Sequence, residues 1–216
     1  MFIGKYDKSV IVTYLGILSA MIGMYLVLGY STPKLTGAII CLMISGVCDM
    51  FDGKVARSIN NRTNYDINYG IQVDSLADMV SFIIFPIVIL YGLMKELDIS
   101  VLNYIAIPIF TLFTVCGISR LAFFNVSSTM DEGKVDYYTG LPVTSTAIIF
   151  PAMYLLKYVL EYKLFVSIYL FTFLVISFLM IFRFKLKKPK KNSWYIICSS
   201  LALIMSIILL LLKVSK

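Results

Sequence analysis

Seven stretches of mostly apolar residues recur along the chain, at about 10–30, 36–57, 71–93, 102–124, 141–159, 164–184 and 194–212. Each is close to the roughly 20 residues that an α-helix needs to cross a bilayer. Short polar connections separate them and leave no room for a soluble domain. The pattern therefore predicts an all-α polytopic membrane protein with seven spanning helices, forming one integral membrane domain over residues 1–216. The first stretch follows Lys5 and Lys8, as a signal peptide would, but no small-residue cleavage site precedes Tyr30-Ser31-Thr32-Pro33. It reads as a retained helix. No internal repeat is evident.

Composition agrees. The chain is 60% hydrophobic and 14% charged, with a mean hydropathy of +0.89. Soluble domains are about 45–50% apolar and about 25% charged. Disorder is excluded too, because it requires low hydrophobicity and high charge. The net charge of +7 comes from 19 basic and 12 acidic residues. On the side shared with the N-terminus lie 13 of the basic residues: Lys5, Lys8, Lys54, Arg57, Arg62, Arg120, Lys134, Arg183, Lys185, Lys187, Lys188, Lys190 and Lys191. The other side carries 6: Lys34, Lys95, Lys157, Lys163, Lys213 and Lys216. Lys and Arg concentrate on the cytoplasmic side of membrane proteins, so the N-terminus is expected in the cytoplasm and, with an odd helix count, the C-terminus outside. The positive charge thus reflects topology, and no nucleic-acid partner is expected. The run Lys187-Lys188-Pro189-Lys190-Lys191 can also attract anionic headgroups. Tyr91, Tyr104, Tyr158, Tyr162 and Trp194 lie near helix ends, where aromatic side chains anchor at the interface.

The chain contains no histidine, which excludes an imidazole base, a phosphohistidine and a His-ligated metal. Cys41, Cys48, Cys116 and Cys198 lie in apolar stretches without CxxC spacing and read as membrane residues, neither disulfides nor zinc ligands. Carboxylates remain. Asp49, Asp52, Asp74 and Asp78 fall inside the second and third apolar segments, towards their cytoplasmic ends. An ionised Asp in a bilayer costs a few kcal/mol even on the lenient insertion scale, so such residues usually face the bundle interior and act. Asp49 and Asp52 are spaced i, i+3, and Asp74 and Asp78 i, i+4, so each pair projects from one helix face. Two consecutive antiparallel helices can bring all four to one point. Like charges there repel, and divalent cations resolve the repulsion. An all-oxygen set favours Mg²⁺ or Mn²⁺ over zinc. Gly53 and Ala56 allow close approach of a ligand or a helix, Arg57 can reach a phosphate, and Gly70 opens the third segment one turn before Asp74. Two other readings remain at this point: interfacial acids paired with Lys54, Arg57 and Arg62, and a cation pathway in a transporter.

Together these residues read Asp49-x2-Asp52-Gly53-x2-Ala56-Arg57, then Gly70-x3-Asp74-x3-Asp78. This resembles the signature of the CDP-alcohol phosphotransferase family. All eight defined positions match in type and order. The family usually has about eight residues between the Arg and the second Gly; here twelve stand there, Ser58 to Tyr69, and the polar, Asn-rich excess reads as a longer loop, which is thermodynamically cheap. Within the family, Val73-Asp74-Ser75-Leu76-Ala77-Asp78-Met79-Val80-Ser81-Phe82 is similar to the membrane-type phosphatidylserine synthases. So are Arg120-Leu121-Ala122, Phe124-Asn125 and Gly140-Leu141-Pro142. Phe123 replaces a second Arg of that pattern, and the first helix lacks the usual Pro-Asn start, with Thr13 in the place of a polar residue. The resemblance covers about residues 36–151.

The resemblance implies a six-helix core, here about 10–184, a homodimer, and an extra C-terminal helix at about 194–212. It implies transfer of a phosphatidyl group from CDP-diacylglycerol to the hydroxyl of L-serine, releasing CMP, at a cytoplasmic-side site in the cell membrane. Asp49, Asp52 and Asp74 would hold a first Mg²⁺ or Mn²⁺, and Asp78 would help hold a second and act as general base. The donor would lie against Asp49, Gly53, Ala56, Arg57 and Gly70. Serine carries a carboxylate, for which Arg120 is the candidate cation, supported by Asn125. Other acceptors, glycerol 3-phosphate or inositol phosphate, would keep the same reaction class. The phospholipase-D-like synthases use paired histidines, which this chain lacks.

Overall fold

The computed structural model describes residue 4, residues 6–97, 100–130 and 137–187, and near the C-terminus Ile204, Met205, Ile207, Ile208 and Leu211. Among the described residues up to 187, six helical elements run back and forth. They are α1 (Lys8–Leu28), α2 (Leu35–Ser58), a continuous rod of α3 (Asn64–Asp78), a π-helical segment (Met79–Ile84) and α4 (Phe85–Lys95), then α5 (Ser100–Met130), α6 (Thr146–Tyr154) and α7 (Tyr162–Ile181). The strands β1 (Tyr137–Thr139) and β2 (Lys185–Lys187) pair antiparallel, Tyr138 opposite Leu186, and join the α5–α6 connection to the end of α7. Five of the elements are long and apolar enough to span a membrane. The protein is an all-α polytopic integral membrane protein. α6 is shorter than the predicted 141–159 segment: it continues at both ends as 3₁₀ turns, from Val143 to Tyr158. That length gives about 25 Å, below the ~30 Å hydrocarbon thickness. Most of the expected seventh helix lies outside the described residues, as do Lys5, Lys134, Lys188 to Lys191, Trp194 and Cys198; Ile204, Met205, Ile207, Ile208 and Leu211 are helical.

The most extensive helix pair is α1 against α2. Its cause is a stripe of small and polar residues on α1: Ser9, Thr13, Gly16, Ala20, Gly23 and Val27 are buried at alternating spacings of four and three. Ile11, Leu15, Leu18, Ile22 and Tyr25 face outward on the opposite side, as lipid contact requires. A β-carbon at Gly16 would stand 3.2 Å from Cys48 Cβ, and one at Gly23 would overlap the Phe85 ring. The close approach lets hydroxyls bridge the helices. Ser19 Oγ donates to the Cys41 carbonyl at 2.9 Å, and Ser45 Oγ to the Gly16 carbonyl at 2.9 Å. In lipid, where apolar burial drives little helix association, such packing and hydrogen bonding hold the pair.

Two local signals place α3 and α4. Thr63 Oγ1 accepts from the Asp66 amide at 3.2 Å while an Asp66 carboxylate oxygen accepts from the Thr63 amide at 3.0 Å, a reciprocal cap. The helix therefore starts at Asn64, several residues before the predicted 71, and the expected twelve-residue loop shrinks to Ile59–Thr63, with Asn61 in the left-handed region at φ 60°. Further on, Pro86 has no amide to donate, and its ring would clash with a carbonyl four residues back. The backbone widens into the π-helical segment there, and Thr146 Oγ1 donates to the Phe82 carbonyl at 3.2 Å. The far side of the bundle is an aromatic pile in which Phe113, Phe150 and Phe173 meet at ring separations of 4.4 and 4.7 Å.

Thr146 is fully buried. Thr146→Val should leave the Phe82 carbonyl less well satisfied at a cost of about 1–3 kcal/mol. The melting temperature in detergent should fall, and Thr146→Ser should restore it.

Candidate active site

The ends of α2 and α3 on the N-terminal side come together beside α1, and their acids meet. Asp49, Asp74 and Asp78 each place a carboxylate oxygen within 4.8 Å of the others. Asp52 stands close enough for its charge to act on both Asp49 and Asp74. Asp52 is buried, and Thr13 Oγ1 from α1 donates to its Oδ2 at 2.6 Å. The i, i+3 and i, i+4 spacings thus do what helix geometry requires. The small cavity between the helices is lined by Thr13, Gly16, Ser45, Ala77, Ser81 and Phe82 beside the four acids.

This set of groups fits a divalent cation. The donors are all oxygens, the choice of Mg²⁺ and Mn²⁺. Asp74 Oδ1 is buried with no hydrogen-bond partner, which a buried carboxylate tolerates poorly unless a cation takes it. Arg57 is exposed on the last turn of α2, and its charge acts on Asp52. Its Nη1 lies 3.5 Å from where a β-carbon of Gly53 would stand, an ordinary contact that leaves the Gly53 surface approachable. Ala56 is half-buried one turn away.

The remaining candidates fall in two places. Asn125 is near the acids: Ser75 Oγ, next to Asp74, donates to Asn125 Oδ1 at 2.9 Å. Arg120 is buried where α5 meets the start of α6 and the end of α7, and its Nε donates to the Leu141 carbonyl at 3.1 Å. Gly140 makes that junction possible. It sits at φ +76°, its amide donates to the Phe184 carbonyl at 2.8 Å, and a β-carbon there would meet the Met180 carbonyl oxygen at 2.9 Å. Gly70 has a neighbour that sequence reasoning did not assign to it. Arg62 Nη2 stands 2.9 Å from the place of a Gly70 β-carbon. Thr13 as a partner of Asp52 is a second such residue; the signal was a hydroxyl on the same helix face as Ser9 and Gly16.

With this geometry in view, the chain's relationships are informative. It matches the CDP-alcohol phosphatidyltransferase family over residues 9–181 and belongs to that family. Over 112 residues, 48% of this chain, it is 36% identical to the CDP-diacylglycerol–serine O-phosphatidyltransferase of Saccharomyces cerevisiae, covering 36% of that protein. Over 142 residues, 65% of the chain, it is 32% identical to the archaetidylserine synthase of Methanothermobacter thermautotrophicus, covering 56% of it. A Helicobacter pylori CDP-diacylglycerol–serine O-phosphatidyltransferase is 30% identical over 133 residues, 61% of this chain and 51% of that protein. The chain thus spans between about a third and just over half of the length of these relatives.

Thr13→Val should remove the hydroxyl from Asp52. A lost hydrogen bond to a charged group costs about 1.5–3 kcal/mol. The melting temperature should fall at neutral pH, with recovery in Thr13→Ser.

Proposed function

We propose that the protein transfers a phosphatidyl group from CDP-diacylglycerol to the hydroxyl of L-serine, forming phosphatidylserine and CMP. The observation that carries this reading is the convergence of Asp49, Asp74 and Asp78 within 4.8 Å, in a chain of this family whose relatives are named for serine transfer. Asp49, Asp52 and Asp74 would hold one Mg²⁺ or Mn²⁺ and Asp78 would help hold a second. Bound there, the ions neutralise the diphosphate and the charge that develops on the leaving CMP. The 13-to-6 division of basic residues supports a cytoplasmic N-terminus and active site. The donor's acyl chains would then stay in the bilayer and its diphosphate would lie at the interface, against Gly53, Ala56, Arg57 and Gly70. A homodimer is the expectation from the family resemblance.

In the chemical step the serine oxygen attacks the phosphorus that carries the diacylglycerol. The bond from that phosphorus to the CMP oxygen breaks, and CMP leaves with the bonding pair. Asp78 takes the serine proton. It is buried at the inner end of α3, immediately before the π-helical segment. An ordinary Asp is a weak base at neutral pH, so its placement beside the reacting oxygen counts for more than its free pKa. Arg120 would meet the serine carboxylate and Asn125 would support it, the latter from its hydrogen bond to Ser75.

Membranes supplied with labelled CDP-diacylglycerol and a panel of alcohols should release CMP with serine well above glycerol 3-phosphate or inositol phosphate. Preference for another alcohol moves the acceptor assignment, and no CMP release with any alcohol favours a cation transporter. Asp78→Asn should lower CMP release by 10²-fold or more while the protein stays folded in detergent. Arg120→Ala should raise the KM for serine more than that for the lipid; an unchanged serine KM removes Arg120 from the acceptor site.

A further inference from the structure

The connection between α2 and α3 is where the chain departs from the family's spacing, and it delivers a cation to the mouth of the site. Arg62 is the last residue before the cap of α3, and its side chain is 16% exposed. Nη2 donates to the Asp66 carbonyl at 3.2 Å and lies 3.8 Å from Asp7 Oδ2. Nε is buried with no hydrogen-bond partner. The guanidinium lies across Gly70, one turn before Asp74, in space that any side chain at position 70 would claim. Asp7 is held in place in turn. As the cap of α1 it accepts from the amides of Ser9 and Val10, both at 3.0 Å. Burial draws its carboxyl upward, but the hydrogen bonds from Ser9 and Val10 and the Arg62 charge outweigh it and keep it below the usual carboxylate value.

Three facts conflict with a purely structural ion pair. At 3.8 Å the Arg62–Asp7 contact is beyond hydrogen-bond range, so the pair is loosely held. A buried N–H without a partner is costly. The glycine face beside the acids, the place for close approach of a ligand, is covered by a cation.

We propose that Arg62 is an anion-accepting gate for the donor: paired with Asp7 and lying over Gly70 in the free protein, it passes from Asp7 to a phosphate oxygen of a nucleoside-diphosphate-linked lipid as that donor settles against α3. The inference rests on the functional reading above. Arg suits the role because its planar fork can hold one acceptor while presenting another N–H, here Nε, to a second. The exchange of Asp7 for phosphate keeps the guanidinium paired throughout. It makes the donor compete with an acid of the protein's own N-terminal segment.

The test uses the full chain in lipid nanodiscs, with CMP release from CDP-diacylglycerol and serine as the signal. Arg62→Gln should raise the donor KM about tenfold, with kcat and the serine KM within about twofold, and Arg62→Lys should recover part of the loss. Asp7→Asn keeps a capping side chain but removes the charge. It should lower the donor KM two- to threefold, because Arg62 no longer has a competing partner. Opposite shifts in the two variants are the signature of the gate. Shifts in the same direction, or an unchanged donor KM in Arg62→Gln, overturn it. Should the wild type release no CMP with any alcohol, the functional reading fails by itself. Calorimetric binding of CDP to wild type and Arg62→Gln then tests the gate: weaker binding by the variant supports it, and equal binding overturns it.

Discussion

Repulsion among closely placed carboxylates is the constraint to which this bundle is built. Two unit charges 4.8 Å apart at an effective dielectric constant near 20 repel by about 3–4 kcal/mol. The three pairs among Asp49, Asp74 and Asp78 therefore approach ~10 kcal/mol when all are ionised, as much as the whole stability of many domains. A cluster of this kind persists only with protons or cations between its oxygens, and only on a rigid frame. The frame is α1 packed on α2. Glycines at 16 and 23 admit the neighbouring helix, Ser19 and Ser45 hydrogen-bond across the seam, and Thr13 reaches Asp52. A bulkier stripe on α1 would hold the acids apart and remove both the repulsion and its use.

Much of the site was legible in the linear sequence because helices translate spacing into direction. Four Asp residues at i, i+3 and i, i+4 on consecutive apolar segments had to share a depth, and a chain without histidine left little other chemistry. The Lys and Arg count gave an orientation but concealed a difference among its members. Arg62 counts as one of thirteen topology charges until its guanidinium is seen over Gly70. No periodicity could have exposed that, since Arg62 is in a connection whose course depends on the reciprocal cap of Thr63 and Asp66 and on the left-handed turn at Asn61.

The departures from the hydropathy pattern have similar local causes. The third segment begins early because a cap, which carries no hydropathy signal, starts α3 at Asn64. The π-helical segment after Asp78 follows from Pro86, whose missing amide is offset by a hydroxyl on α6, a residue about 60 positions distant. The fifth predicted span is short because α6 is lodged between other helices, with Gly46 of α2 making room for Ala147; a β-carbon at 46 would stand 2.6 Å from that of Ala147. A helix packed on its neighbours in this way need not match the bilayer by itself.

The central claim, that four acids on α2 and α3 are assembled to hold divalent cations, is tested most directly by titrating the purified, metal-free protein with Mn²⁺ and following the free-ion signal by electron paramagnetic resonance. The account predicts saturable uptake that Mg²⁺ displaces and that the double variant Asp49→Asn, Asp74→Asn abolishes. Equal uptake by the wild type and that variant, or no uptake by either, would contradict it.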